Sequence, residues 1–250
     1  MKLSVSTLVL ISLFSFSSFS QRRTAPRSSK PKPAAVKKAT NEAVIIDQRL
    51  AVLRSSPSLY AKPIQRMSGG RRIAIGESKN ADGVTFYRVN MSSKTSGWVQ
   101  ADAIASVSRA GDDERLAKLV QGSQGFERIE RASIFIEMFP KSSFRPSILL
   151  LFGDLVETES EKLSGRATRS LDRREMAASG APLHSFYLNY PFLDRFRKLG
   201  IVFLFNSNTR NYHYDGETWK EIVRKYPESR EAVEAQKRLN SLREKLERIK

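Results

Sequence analysis

The sequence predicts an α+β protein in which a small all-β barrel precedes an all-α helical domain. Three observations carry that reading. Short apolar or alternating runs broken by turn residues fill 43–106, and apolar positions at three and four spacing fill 112–250. The 250 residues, 40% hydrophobic and 28% charged, suffice for one or two modest cores.

Residues 1–20 read as an export signal. Lys2 gives a short positive start, Leu8 to Phe16 an apolar stretch diluted with Ser, and Ser18-Phe19-Ser20 a small-x-small cleavage site before Gln21. A segment so rich in Ser is a poor anchor for a bilayer core about 30 Å thick, so cleavage is favoured and membrane contact is expected only through this signal. The expected location is therefore outside the export membrane, in the periplasm or on the envelope. The chain has no cysteine, which excludes disulfides, thiolate metal sites, a cysteine nucleophile and a lipid-modified N-terminal cysteine.

Residues 21–42 form a basic linker rich in Pro, Ser and Ala. Arg22, Arg23, Arg27, Lys30, Lys32, Lys37 and Lys38 occur there with no acid before Thr40, and Pro26, Pro31 and Pro33 favour a semi-extended chain. The net charge is +17; without these cations and Lys2 the remainder holds 35 basic against 26 acidic residues. In an exported protein such charge points to peptidoglycan or another anionic envelope polymer, and a nucleic-acid partner is not expected. The plain alternative is that the charge only confers solubility.

From Ala43 the pattern becomes that of short antiparallel strands, expected at Leu50–Arg54, Arg72–Glu77, Thr85–Asn90 and Gly97–Gln100. Turns are signalled by Ser55-Ser56-Pro57-Ser58, Ser68-Gly69-Gly70, Asn80-Ala81-Asp82-Gly83 and Ser92-Ser93-Lys94. Gly97 is expected to relieve crowding where the last strand begins. Four pieces in order, Leu53-Arg54-Ser55-Ser56-Pro57-Ser58, Met67–Arg72 with Gly70, Phe86-Tyr87-Arg88-Val89 and Gly97-Trp98-Val99, resemble the bacterial Src-homology-3 (SH3-like) domain over 43–106. That resemblance implies a small barrel that binds cell-wall peptides, with Arg54, Phe86, Tyr87 and Trp98 as candidate ligand-binding residues. Trp98 would line an open aromatic groove with Phe86 or Tyr87, or it would cover one end of the barrel. The structural role is favoured, because large aromatics pack before they bind.

After Ser106 helices are expected. Asp112 and Asp113 can cap a helix bearing Leu116, Leu119 and Val120, interrupted by Gly122 and Gly125. A second carries Phe126, Ile129, Ala132, Ile136 and Phe139 and stops at Pro140; a third, Ile148–Val156, is apolar on nearly every side and belongs between neighbours. Phe139-Pro140-Lys141-Ser142 recurs as Tyr226-Pro227-Glu228-Ser229, a proline stop followed by a serine cap. Leu149-x-x-Phe152-Gly153-x-x-Val156 fits tetratricopeptide spacing, with Gly153 where paired helices approach. The half resembles tetratricopeptide-like helical-hairpin domains over 112–160 and 217–250, which implies a groove for a protein partner.

Between Ser170 and Gly216 the match lapses, and Phe186, Tyr187, Tyr190, Phe192, Phe196, Phe203, Phe205, Tyr212 and Tyr214 alternate with Arg195, Arg197, Lys198 and Arg210. A core lining is favoured over a stacking surface there. His184 and His213, without carboxylates at ligand spacing, do not suggest a metal or a catalytic pair. The last helix, Ser229–Ile249, sets Ala232, Ala235, Leu239, Leu242, Leu246 and Ile249 on a narrow seam, expected to cap the helical stack or, less favoured, to form a coiled coil.

No glycine-rich phosphate loop, zinc signature or Gly-x-Ser-x-Gly elbow is present, so no catalytic residue, metal or cofactor is assigned. The expected function is a non-enzymatic envelope protein that binds peptidoglycan through the barrel and a protein through the helices. The alternative is an assembly scaffold whose barrel is purely structural, with burial of Trp98 against Leu116 or Leu119 as its mark.

Overall fold

Seven strands form one antiparallel sheet: β1 (Glu42–Ile45), β2 (Val52–Arg54), β3 (Pro63–Arg66), β4 (Arg72–Ala81), β5 (Val84–Asn90), β6 (Ser96–Gln100) and β7 (Ile104–Ala105). Their spatial order is β3-β2-β6-β5-β4-β1-β7. The computed structural model describes residues 41–91 and 95–247. The chain divides into two units, Met1–Lys38 and Ala39–Lys250, and all described residues belong to the second. The export signal, the basic linker up to residue 40, the turn Ser92-Ser93-Lys94 and Ile249 lie outside the described residues.

The barrel expectation is met in coarser form. An antiparallel sheet region precedes a helical region, but no pairing between β3 and β7 closes the sheet among the described residues. The expected strand at Arg72–Glu77 runs on to Ala81, because a tight turn at Asp82-Gly83 lets β4 and β5 pair to their tips.

β1 explains how sheet and helices join. Strand side chains alternate between faces, and here both faces are buried. Ala43 and Ile45 enter a core with Leu53, Met67, Ile73, Val89, Val99 and Ile104, whereas Val44 and Ile46, with Ala105, enter the helical core. Gly97 sits where an added Cβ would fall 2.6 Å from the Arg54 carbonyl oxygen and 2.8 Å from Leu53 Cγ, so β2 and β6 can approach only with glycine there.

The helices are α1 (Asp112–Gly122), α2 (Gly125–Met138), α3 (Arg145–Ser170), α4 (Arg173–Ser179), α5 (Leu183–Leu188), α6 (Asp194–Arg197), α7 (Glu217–Lys225) and α8 (Arg230–Glu247). α1 packs on α2, α2 on α3, and α7 on both α3 and α8. At Gly153 an added Cβ would collide with the Trp219 indole, so the close approach expected at this glycine is between α3 and α7. The third helix is far longer than Ile148–Val156. Its second half buries Ser160, Leu163, Ser164 and Ala167, and these mostly small side chains carry little apolar signal.

Three capping expectations are corrected. Asp112 lies inside α1, buried, and its carboxylate accepts a hydrogen bond from Ser106 N (2.8 Å) instead of capping the helix. Ser142 accepts weakly from Phe144 N (3.3 Å) and donates to Asp113 (2.7 Å), while the Ser229 hydroxyl is buried without a hydrogen-bond partner. The proline stops do hold: α2 and α7 end before Pro140 and Pro227.

The aromatic stretch is mostly core, and part of it is a hairpin that the helical expectation did not include: β8 (Phe203–Asn206) paired with β9 (Asn211–Tyr214). Tyr187, Tyr190, Phe196, Tyr212 and Tyr214 are buried, and the Tyr187 ring stacks on Phe205 at 4.7 Å. Along α8, Ala232, Ala235 and Leu242 are buried against the stack, as expected for a capping helix.

Candidate functional site

Strand register decides which sequence-predicted site residues share a surface. Residues directly opposite on antiparallel strands project from the same face. Arg54 pairs with Trp98, Trp98 with Arg88, and Lys79 with Phe86, which lies two residues from Arg88. Arg54, Lys79, Phe86, Arg88 and Trp98 therefore occupy one face. Tyr87 pairs with Val99 on the other, packed on the sheet core and 5.2 Å from the Arg109 guanidinium. Three of the four candidate residues are brought together, and Tyr87 is not.

The aromatics of this face do not form an open groove. Phe86 is fully buried and Trp98 is 4% exposed. Trp98 is not part of the helical core that holds Leu116 and Leu119; it lies beneath cations. Lys79 Nζ is 5.3 Å from the indole centroid and Arg88 Cζ 5.9 Å, distances at which an ammonium or guanidinium is attracted to a ring face. Glu77 approaches Arg88 at 3.9 Å.

The loop between β2 and β3 crosses this face. Ser55 N donates to Lys62 O (3.0 Å) at its base, and Arg54 Nη1 donates to Ala61 O (3.0 Å). Its far side reaches the tip of the β4–β5 hairpin, where Asp82 accepts from Ser58 Oγ (2.7 Å) and Leu59 N (2.8 Å). These two bonds, the hydroxyl first, hold the Asp82 carboxyl below the usual carboxylate range. Asp82 does this from a left-handed backbone, φ 54°, uncommon outside glycine. At the top of the loop Tyr60 is 89% exposed.

A second polar cluster ties the helical region together. Glu157 on α3 accepts from Tyr214 N (2.7 Å) and Lys245 Nζ (2.8 Å), and its Oε1 is 3.1 Å from His213 Nδ1. Burial alone would push this carboxyl up, but the bonds from His213, Lys245 and Tyr214 N prevail and lower it to about 2. Lys245 also bonds Glu161 (3.1 Å), and a polar pocket of about 340 Å³ opens beside Glu161, Thr209, Asn211, His213 and Lys245. His213 thus has a carboxylate partner that its sequence neighbourhood does not reveal, 56 residues away. Among the described residues no group of three or more His, Asp or Glu side chains is placed to hold a metal ion, and no helix is long and apolar enough to cross a membrane.

Lys79 and Arg88 on the sheet face, and Tyr60 and Asp82 at the loop and hairpin tip beside it, are residues that sequence reasoning did not assign. Asp82 had a signal in the Asp-Gly hairpin turn; Tyr60 had none, since exposure at a loop tip leaves no periodicity. Fold and site together define an α+β protein with a cation-lined sheet face over a buried indole. No protein-family model matches the chain, and neither curated proteins nor solved structures yield a match.

Proposed function

We propose that the chain is a non-enzymatic, exported envelope protein whose sheet region, an SH3-like module, binds peptidoglycan or a related anionic wall polymer. The observation that carries the reading is the convergence of Arg54, Lys79 and Arg88 on one sheet face, with Lys79 and Arg88 seated over Trp98. Such a face offers fixed positive charge on a rigid platform, which attracts polyanions and loses them as salt screens the interaction. The basic segment before the sheet adds to the same attraction. The helical region, read as tetratricopeptide-like, receives a protein partner; a groove of about 510 Å³ between α3 and α8, lined by Leu150, Leu151, Asp154, Arg230, Glu231 and Glu234, supports that assignment.

Co-sedimentation of the protein with purified sacculi tests the reading. Wild type is expected to pellet with sacculi at low salt, and Lys79→Glu with Arg88→Glu to lower the bound fraction several-fold while leaving the folded state intact. Absence of wild-type binding at any salt would overturn it.

A second reading has its own support. Phe86 and Trp98 are buried and the sheet shares a core with the helices, as a purely structural sheet in an assembly scaffold would. On that reading the double charge reversal leaves sacculus binding unchanged and partner capture rests on the helices alone.

A further inference from the structure

We propose that the polar pocket beside His213 binds a small uncharged polyol, a single sugar ring or an open-chain hexitol, and does so independently of the sheet face. Elements distant in the chain converge on it: Glu161 from α3, Thr209 from the turn between β8 and β9, Asn211 and His213 from β9, and Lys245 from α8. Alternation along β9 sends Tyr212 and Tyr214 into the helical core and puts Asn211 and His213 on the opposite face. The opening, about 340 Å³, has room for one sugar ring and lies at the small end of the range for ligand sites.

His213 distinguishes this pocket from a solvated cleft. Its ring is 5% exposed and held from behind by Glu157. Glu157 also accepts from Lys245 Nζ, Tyr214 N and Ser160 Oγ. An ionised carboxylate only accepts, so the hydrogen between Glu157 and His213 sits on Nδ1. Nε2 is then the ring atom left to meet a ligand, as an acceptor in the neutral ring. Thr209 supplies an independent observation. Its Oγ1 is closed to water and has no hydrogen-bond partner, a state that burial penalises. One χ1 step turns that hydroxyl toward a ligand in the pocket that the residue lines. Asn211, exposed at the rim, adds an amide that both donates and accepts.

The charges and hydrogen bonds select the class of ligand. Lys245 is shared between Glu157 (2.8 Å) and Glu161 (3.1 Å), which leaves one ammonium hydrogen uncommitted. Among the described residues the two carboxylates outnumber the ammonium, so an anion is repelled. A cation meets Lys245 and finds a single uncommitted carboxylate oxygen, Glu161 Oε2. The groups still available interleave donors with acceptors: His213 Nε2, the Asn211 amide, the Thr209 hydroxyl and the remaining Lys245 hydrogen. Each hydroxyl of a ligand is itself donor and acceptor, so an uncharged molecule carrying several of them matches that set.

The test titrates the isotope-labelled full chain with glucose, galactose, mannose, N-acetylglucosamine and sorbitol, and follows the ring signals of its two histidines by NMR. His184, exposed on α5, is the internal control. At least one of these probes is expected to move the His213 Nε2 signal saturably at millimolar concentration while His184 stays fixed. Gluconate and protonated glucosamine are expected to bind about tenfold more weakly. Thr209→Val keeps the side chain's shape and removes the hydroxyl. It is expected to weaken binding about three- to tenfold with the melting temperature unchanged or raised, because an unpartnered buried hydroxyl is lost. Asn211→Ala should weaken binding by a similar factor. A hydroxyl with a structural role alone would lower the melting temperature and leave affinity unchanged. The inference is overturned if no uncharged probe moves His213, if gluconate or glucosamine binds more tightly, or if both substitutions leave affinity intact. None of these outcomes touches sacculus binding by the sheet face, which the charge reversals at Lys79 and Arg88 test separately.

Discussion

Glu157 concentrates the helical region's electrostatics in one side chain. It joins α3 to β9 through Tyr214 N and His213 and to α8 through Lys245. Its carboxyl lies at about 2 against an ordinary value of 4.5, so the ionised form stabilises the fold at neutral pH. A depressed carboxyl contributes fully above its unfolded value and loses that contribution as pH falls through its folded value. Glu157→Gln is therefore expected to cost roughly 2 kcal/mol at pH 7. The gap from wild type should narrow steadily from pH 4.5 to 2, read by urea unfolding across that range. None of this was visible in the sequence, because the partners lie 56 and 88 residues from Glu157 and side-chain spacing along a helix says nothing at that range.

The contact between α3 and α7 depends on a missing methyl group. Gly153→Ala would push a Cβ into the Trp219 indole and toward Thr218 Oγ1, both held in a packed interface, and overpacking of this kind costs about 1–3 kcal/mol. The expected result is a lower urea midpoint with an unchanged slope; a neutral substitution would mean that α7 slides freely. Gly153 was legible through the tetratricopeptide spacing Leu149-x-x-Phe152-Gly153-x-x-Val156, which sets a glycine where helices approach, although its partner helix was not. Other elements escaped notice for physical reasons. β1 is buried on both faces and so does not alternate, β3 is exposed at all four positions, and β8 and β9, four residues each, keep Phe203, Phe205, Tyr212 and Tyr214 on one shared face, an alternation too short to stand out within an aromatic-rich stretch. The candidate site divides the same way: the SH3-like resemblance proposed Arg54, Phe86, Tyr87 and Trp98 together, but only the register places Tyr87 on the opposite face from the other three.

Across the whole molecule the sheet and helices are bound by buried polar ties as well as shared apolar core. Arg131 on α2, almost fully buried, donates to Ile46 O (2.9 Å) and Ser123 Oγ (2.6 Å) and pairs with Asp47 and Glu127. Asp112 holds Ser106 N and pairs with Arg115 (3.1 Å) and Arg109 (3.5 Å), and at the exposed surface Arg72 adds a pair with Glu137 on α2. The two regions should melt in one transition by calorimetry. Removing one partner of such a buried set costs about 3–5 kcal/mol, so Arg131→Met should lower that single transition, or split it in two if the junction is what couples the regions. The sequence marks a change from strand to helix patterning at residues 107–111, and β7 ends at Ala105 while α1 begins at Asp112. It could not show that β1, an unremarked run before the first expected strand, is the strand that both cores share.

The end of the sheet at β3 bears on how copies of this protein behave when crowded together. A free sheet edge invites the same edge of another copy, and two β3 strands meeting head to tail would set Lys62 of one against Arg66 of the other, with Pro63 offering no amide hydrogen to the shared ladder. Repulsion and a missing donor thus discourage fibrous self-association at this edge. Pro63→Val together with Arg66→Val should accordingly raise light scattering at high protein concentration, while wild type stays dispersed.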